Sequence, residues 1–173
     1  MNASEDKKVK VINVMAASLN GRIAAFPFEG DQARRDNGFI IPDDERLLRE
    51  ELFLADAVIT GANSLRVTRS VSNIKNKKGV YPHWFIFTQK GLEPDLEFWA
   101  QVGIPRTIVS SEKTDLTTEQ LAGSLSSLEI SQDKIGAGLI EFMSKNQMRR
   151  ILLFGGGHIN RIFYQENLVD ELK

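Results

Sequence analysis

Apolar and polar positions fall into short β-branched runs that alternate with stretches of helical spacing. That alternation predicts an α/β sheet covered by helices, not a sandwich or a bundle. Residues 9–17, rich in valine and isoleucine, read as the first strand, ending at Ser18-Leu19-Asn20-Gly21. After a loop holding Gly30, Asp31 and Gly38, Pro42-Asp43-Asp44-Glu45 opens a helix through Leu54. Proline suits a first helical turn, and carboxylates suit its positive dipole end. Leu48, Leu52 and Ala55 would face the core. Residues 57–60 form a short strand closed by Gly61, residues 84–88 a third and residues 106–110 a fourth. Leu121, Leu125 and Leu128 keep helical spacing, as do Ile135, Leu139, Phe142 and Met143, so two further helices are expected before a strand at Ile151. Gly136 and Gly138 interrupt the second of them.

The run from Arg150 to Asn160 places Gly155, Gly156 and Gly157 between an apolar strand and an amphipathic helix. Glycine accepts positive φ and carries no Cβ, so a ligand can approach the main chain, and the free N–H groups opening the helix attract anions. A nucleotide phosphate is the expected guest; the alternative is a tight strand-to-helix turn with nothing bound. The other strands end in small or hydroxyl residues: Ala17-Ser18, Thr60-Gly61-Ala62-Asn63-Ser64, Thr88-Gln89-Lys90 and Val109-Ser110-Ser111. In a parallel sheet these ends share one edge, where ligands bind, so they would join the glycine run in one cleft. Taken singly, each hydroxyl is better explained as a cap or turn residue.

Charge and composition narrow the field. The chain of 173 residues, 42% hydrophobic, fits one domain over 1–173, with the polar residues 1–8 expected to be disordered. A net charge of −1 gives no sign of a nucleic-acid surface. With no cysteine and only His83 and His158, neither a disulfide nor a metal site is expected. No apolar run approaches membrane-spanning length, so a soluble cytoplasmic protein is expected. Between Ala62 and Leu92 there is no acid, yet Arg66, Arg69, Lys75, Lys77, Lys78 and Lys90 all occur. This local positive field suits a phosphate, either the 2′-phosphate of NADPH or a sugar phosphate on a substrate. The lysines at 75, 77 and 78 read as a solvated loop; Arg66 and Arg69 are the better candidates. Asn20-Gly21 is by itself a turn, and Asp43-Asp44 and Glu50-Glu51 read as a helix first turn and a solvated helix face. His158 could donate to phosphate or be a plain helix residue, and His83 reads as surface.

Three stretches together resemble the reductase domain of riboflavin biosynthesis, a relative of dihydrofolate reductase: residues 15–24, residues 44–64, and Phe154-Gly155-Gly156-Gly157 through Leu168-Val169-Asp170-Glu171-Leu172. The resemblance implies a mostly parallel twisted sheet with flanking helices, and NADPH bound in the strand-end cleft. Hydride would pass to the ribosyl C1′ of an aminouracil ribose phosphate. Carried over by position, Gly155, Gly156, Gly157, His158 and Ile159 would hold the pyrophosphate. Gly61, Ala62 and Ser64, with Ala17 and Thr88 at neighbouring strand ends, would line the cofactor groove. Ser18 and Asn20 would stand at the reacting centre, and Ser18, Arg66 and Arg69 would meet the substrate. The resemblance also implies a small-molecule partner and no membrane.

The chain departs from this family where Asn20 replaces a usual aspartate, where Phe154 replaces an acid, and where Arg66-Val67-Thr68-Arg69 replaces an Asp-Asp-Pro run. Those acids are associated with substrate or cofactor contacts, which leaves two competing expectations: a reductase of another small heterocycle, or a nucleotide-binding subunit without catalysis. No zinc deaminase domain is expected, for want of cysteine and length. The family continues beyond the position of Lys173 into a further strand and hairpin; either the sequence is partial or the protein lacks them, and an edge left open there would suit a homodimer.

Overall fold

A computed structural model describes residues 8–17, 19, 22–23, 31–38, 40–112 and 124–173. The strands are β1 (Lys10–Asn13), β2 (Ala57–Gly61), β3 (His83–Phe87), β4 (Arg106–Ser110), β5 (Leu125–Glu129), β6 (Arg150–Leu153) and β7 (Glu171–Leu172). Helices α1 (Asp31–Asp36), α2 (Pro42–Leu54), α3 (Ala62–Thr68), α4 (Ile135–Lys145) and α5 (Gly157–Gln165) connect them. The sheet has seven strands in the order β5-β4-β3-β2-β6-β1-β7, and every pairing is parallel. Parallel strands must be covered on both faces, which is why β2 is buried along its whole length. On one face Ile12, Val58, Trp84, Ile86 and Leu152 pack under Leu52 of α2 and Leu65 of α3. On the other, Val11, Ile59, Phe85 and Leu153 pack under Leu139 and Met143 of α4 and Phe163 of α5.

Several expectations are corrected. Leu125 and Leu128 belong to a strand, not a helix: Leu125 joins the first core and Leu128 packs against the second. An odd spacing puts them on opposite faces of a sheet, so the apolar interval fits either element. Leu121 and the expectation of disorder at residues 1–7 lie outside the described residues. Lys8 does make a contact, its Nζ reaching Asp170 Oδ1 at 3.1 Å. Residues 31–36, read as a loop, are a helix, and so are residues 62–68, where the sequence reading placed only a strand end. The two glycines of α4 are packing sites: a Cβ on Gly136 would stand 2.8 Å from Leu168 Cδ1, and one on Gly138 2.8 Å from Ile130 Cγ2.

Two carboxylates tie the sheet together. Asp56 accepts from the backbone N–H groups of Arg149 and Arg150 at 2.9 and 3.0 Å and pairs with Lys78, locking the entries of β2 and β6. Glu51, expected on a solvated face, is buried and pairs with Arg150 at 2.6 Å and Lys173 at 2.8 Å. Burial pushes its carboxyl up, but the Lys173 and Arg150 partners outweigh that and hold it below its ordinary value. His83 is half-buried and not a plain surface residue. Its Nε2 lies 2.7 Å from Thr107 Oγ1 and its ring stacks on Phe85 at 4.5 Å, while burial pushes its pKa down from 6.5 to about 4. Among the described residues no helix is long and apolar enough to cross a membrane, and no group of acids and histidines could hold a metal.

Candidate functional site

Because every strand runs the same way, the carboxyl ends of β1, β6 and β2 open on one edge, and a cleft of about 560 Å³ descends from it. The cleft lies on the α2 and α3 side of the sheet. Met15 and Ala16 follow β1 along one wall, Phe154, Gly155 and Gly156 follow β6, and Ser64 stands on α3. Leu48 and Leu52 of α2 face Val67 and Val71 across it, so the sides are largely apolar. Such walls exclude water, and a few polar groups can then fix a ligand's orientation. A second recess of about 410 Å³ shares Met15 and Ala16 and reaches Ala17, Gly38 and Asp44.

The glycine turn crosses the sheet edge from this cleft to α5 on the opposite face. None of Gly155, Gly156 and Gly157 adopts positive φ, so conformational freedom, the first reason for expecting glycine there, is not the one at work. Close approach is. A Cβ on Gly155 would stand 3.0 Å from Ile159 Cβ and 3.2 Å from Asn160 Oδ1, whereas one on Gly156 would meet only Ser64 Oγ at 3.8 Å. Gly155 thus seats α5 against the sheet, and Gly156 leaves open space on the cleft wall. The helix begins with no side-chain cap, and its first internal bond runs from Asn160 N–H to Gly156 O at 3.1 Å. The N–H groups of Gly157, His158 and Ile159 precede that bond, as at any helix start.

Of the residues expected at the site, Ser64, Gly155 and Gly156 line the cleft and Ala17 lines the adjoining recess. Gly61 lies beneath them, a Cβ there meeting Ile159 Cγ1 at 3.3 Å. Ala62 and Ile159 are buried, and His158 is exposed at the helix start. Ser18, Asn20 and Gly21 lie outside the described residues. Thr88 is not brought to the cleft: its hydroxyl donates to Gly91 O at 2.7 Å and closes a turn. Arg66 and Arg69 are not brought there either. Arg66 pairs with Glu93 at 2.6 Å and donates to Asn63 Oδ1 at 2.7 Å, and Arg69 pairs with Asp95 at 3.0 Å. With Asp56 on Lys78, these acids from outside residues 62–92 neutralise much of the expected positive field.

Sequence reasoning missed Arg34, Arg49 and Trp84, all of which line the cleft. Trp84 carried a usable signal: an indole has a polar N–H that a buried strand position must still satisfy.

Residues 9–173 match the family described as the RibD C-terminal domain. The chain belongs to that family. RibD C-terminal domains are the reductases of riboflavin biosynthesis that the motifs resemble, so oxidoreductase chemistry is the family's trade. No curated protein sequence matches the chain. Among solved structures, a pyrimidine reductase-like protein from Corynebacterium diphtheriae superposes with a TM-score of 0.71 at 14% identity, covering 99% of this chain and 75% of that one. Acinetobacter baumannii RibD gives a TM-score of 0.66 at 22% identity over 96% of this chain and 45% of that one. A Thermotoga maritima deaminase/5-amino-6-(5-phosphoribosylamino)uracil reductase gives 0.67 at 16% identity, over 92% of this chain and 42% of that one. The chain therefore spans less than half the length of the Acinetobacter and Thermotoga proteins, and at these identities the likeness is one of fold.

Proposed function

We propose that the chain is a cytoplasmic NADPH-dependent reductase that converts the ribosyl group of an aminouracil ribose phosphate to its ribityl form by reduction at C1′. The observation that carries this reading is the glycine turn, which opens on the same wall as Ser64 and beside Met15 and Ala16, at the carboxyl ends of β6, β2 and β1. The residues fit a dinucleotide: Gly156 leaves room at the wall, and the uncapped start of α5 offers N–H donors to a pyrophosphate. NADPH supplies the hydride when bound.

In this reading Gly155 and Gly156, with the N–H groups of Gly157, His158 and Ile159, hold the pyrophosphate. Gly61, Ala62, Ser64 and Ala17 shape the groove, and Ser18 and Asn20 flank the reacting centre. Such a reaction needs alignment and exclusion of water more than a strong base, and the apolar sides at Leu48, Leu52 and Val71 meet that need. For Arg66 or Arg69 to read a phosphate, each would exchange Glu93 or Asp95 for it, one exposed ion pair for another.

Titration of the purified chain with NADPH and NADH is the first test. Saturable binding with preference for NADPH is expected, and no saturation would overturn the reading. Turnover of the aminouracil ribose phosphate compared with dihydrofolate then separates this activity from that of a reductase of another heterocycle. A homodimer through the β7 edge belongs to the same reading; sedimentation at monomer mass would remove it.

A further inference from the structure

Asn160 stands in the first turn of α5, behind the glycine turn, and is 3% exposed. Its backbone N–H donates to Gly156 O at 3.1 Å, and its side-chain Nδ2 donates to Met15 Sδ at 3.2 Å. One residue thus bonds to two walls of the cleft, since Gly156 and Met15 line it and Asn160 does not. The side-chain oxygen lies against Gly155, where a Cβ would stand 3.2 Å from it. That oxygen has no hydrogen-bond partner among the described residues.

Stability does not account for such an amide. A thioether is a weak acceptor, and a buried carbonyl oxygen with no donor is costly, so the two polar groups together contribute little to folding. The residues that seat α5 on the sheet are its apolar ones, Ile159 and Phe163. One turn further on, Tyr164 shares the face of Asn160, and its hydroxyl donates to Asn13 Oδ1 at 3.0 Å. What Asn160 adds is direction: an amide N–H fixes where the Met15 sulfur sits, which an aliphatic contact would not. Met15 is also held at its main chain, its N–H donating to Lys173 O at 3.1 Å. Ala16 and Ala17 follow it and carry the wall into the adjoining recess.

Resting on the reading of this cleft as a reductase site, we propose that Asn160 is a positioning residue. It clamps Met15 to the helix that carries the glycine turn, and so holds the β1 exit in a fixed relation to the wall assigned to the cofactor. Asn160 is not on the wall; it acts through Met15. The pyrophosphate donors of that reading are main-chain groups at Gly157, His158 and Ile159, which do not depend on the Asn160 side chain. Loss of the amide therefore loosens alignment and leaves cofactor affinity in place.

The test uses the full chain carrying carbon-13 in its methionine methyl groups. There are four methionines, and Met15→Leu, which nearly keeps volume while removing the sulfur, assigns the Met15 resonance. With no ligand added, Asn160→Ala should shift that resonance. Kinetics then use NADPH with the aminouracil ribose phosphate or dihydrofolate, whichever the unaltered chain turns over. Asn160→Ala and Met15→Leu should each lower kcat about tenfold, with KM and NADPH affinity within twofold of the unaltered chain. The double variant should lose no more than either single one, because both remove the same contact. Tyr164→Phe breaks the neighbouring contact on the same helix face and should keep kcat. An unmoved Met15 methyl, losses that multiply in the double variant, or an equal loss in Tyr164→Phe, which would make α5 docking in general the cause, each overturns the proposal. Should Asn160→Ala fail to fold, Met15→Leu decides alone, and undiminished kcat there overturns it. An unaltered chain that binds no NADPH or turns over neither substrate sinks the reductase reading and this role with it, whereas normal turnover with an unmoved Met15 methyl sinks this inference alone.

Discussion

At Gly155 and Gly156 neighbouring residues of one type do different work, and substitution should separate them. Gly155→Ala presses a methyl against Ile159 and Asn160 at 3.0 and 3.2 Å. It should cost about 1–3 kcal/mol and lower Tm by roughly 3–10 °C, read by thermal denaturation. Gly156→Ala, at φ −73 with only Ser64 Oγ at 3.8 Å, is conformationally free. It should leave Tm nearly unchanged and weaken NADPH roughly tenfold, about 1.4 kcal/mol; full affinity in this variant would remove Gly156 from the nucleotide site. His83 offers a pH signature. The folded chain keeps it neutral down to about 4, while an unfolded histidine protonates near 6.5. The unfolded state therefore binds the extra proton between these values, and stability falls as pH drops through the window, with no His83 contribution above it. Between pH 7 and about pH 4.5 the wild type should lose on the order of 2 kcal/mol more than His83→Gln in urea denaturation; equal losses would clear His83. The sequence concealed this residue because burial at a strand start depends on Phe85 and Thr107, both placed by the sheet.

Among the described elements, β7 is the shortest strand, and both main-chain and side-chain bonds flank it. Asp170 N–H donates to Val11 O and Lys173 N–H to Asn13 O, each at 2.9 Å, while Asp170 Oδ2 accepts from Val11 N–H at 2.9 Å. Lys173 then reaches Glu51 on α2. Glu51→Gln removes the charge shared by Arg150 and Lys173 and should cost about 2–3 kcal/mol, a little under the usual figure for a buried pair because both cations are partly exposed. Urea denaturation checks it, and a loss below 0.5 kcal/mol would show the pair to be dispensable. The elements that could be read in advance were those whose own residues carry the signal: α2 with proline and acids at its start, and β2, β3, β4 and β6 with β-branched and aromatic runs. Helix α3 escaped because Ala62-Asn63-Ser64-Leu65-Arg66-Val67-Thr68 is short and poor in helix formers, and what holds it is Leu65 buried in the core. Strand β5 was misread because two leucines three apart suit a helix face and two sheet faces equally. The basic segment was misjudged for a related reason: Glu93, Asp95 and Asp56 pair with Arg66, Arg69 and Lys78 from elsewhere in the chain.

For the whole molecule, strand order sets where rigidity lies. Central strands β6, β2 and β3 have neighbours on both sides, whereas β5 and β7 have one each. Native-state hydrogen exchange should therefore protect Ile151, Ile59 and Phe85 amides most, and Leu172 and Ser127 amides least, by at least about a hundredfold; comparable protection of Leu172 and Ile151 would contradict the topology. The cleft was foreseen as a convergence of strand ends and the glycine turn, but Arg34 and Arg49 on its wall could not be, since each reaches it from a helix whose place against the sheet is set only by the fold. One further bond links the periphery to the cleft: Met15 N–H donates to Lys173 O at 3.1 Å. Any polypeptide joined after Lys173, whether native extension or purification label, thus leaves from a carbonyl that steadies the ligand-facing segment. Its pull or bulk would be felt by whatever occupies the binding site, so a fluorophore attached there would double as a sensor of occupancy.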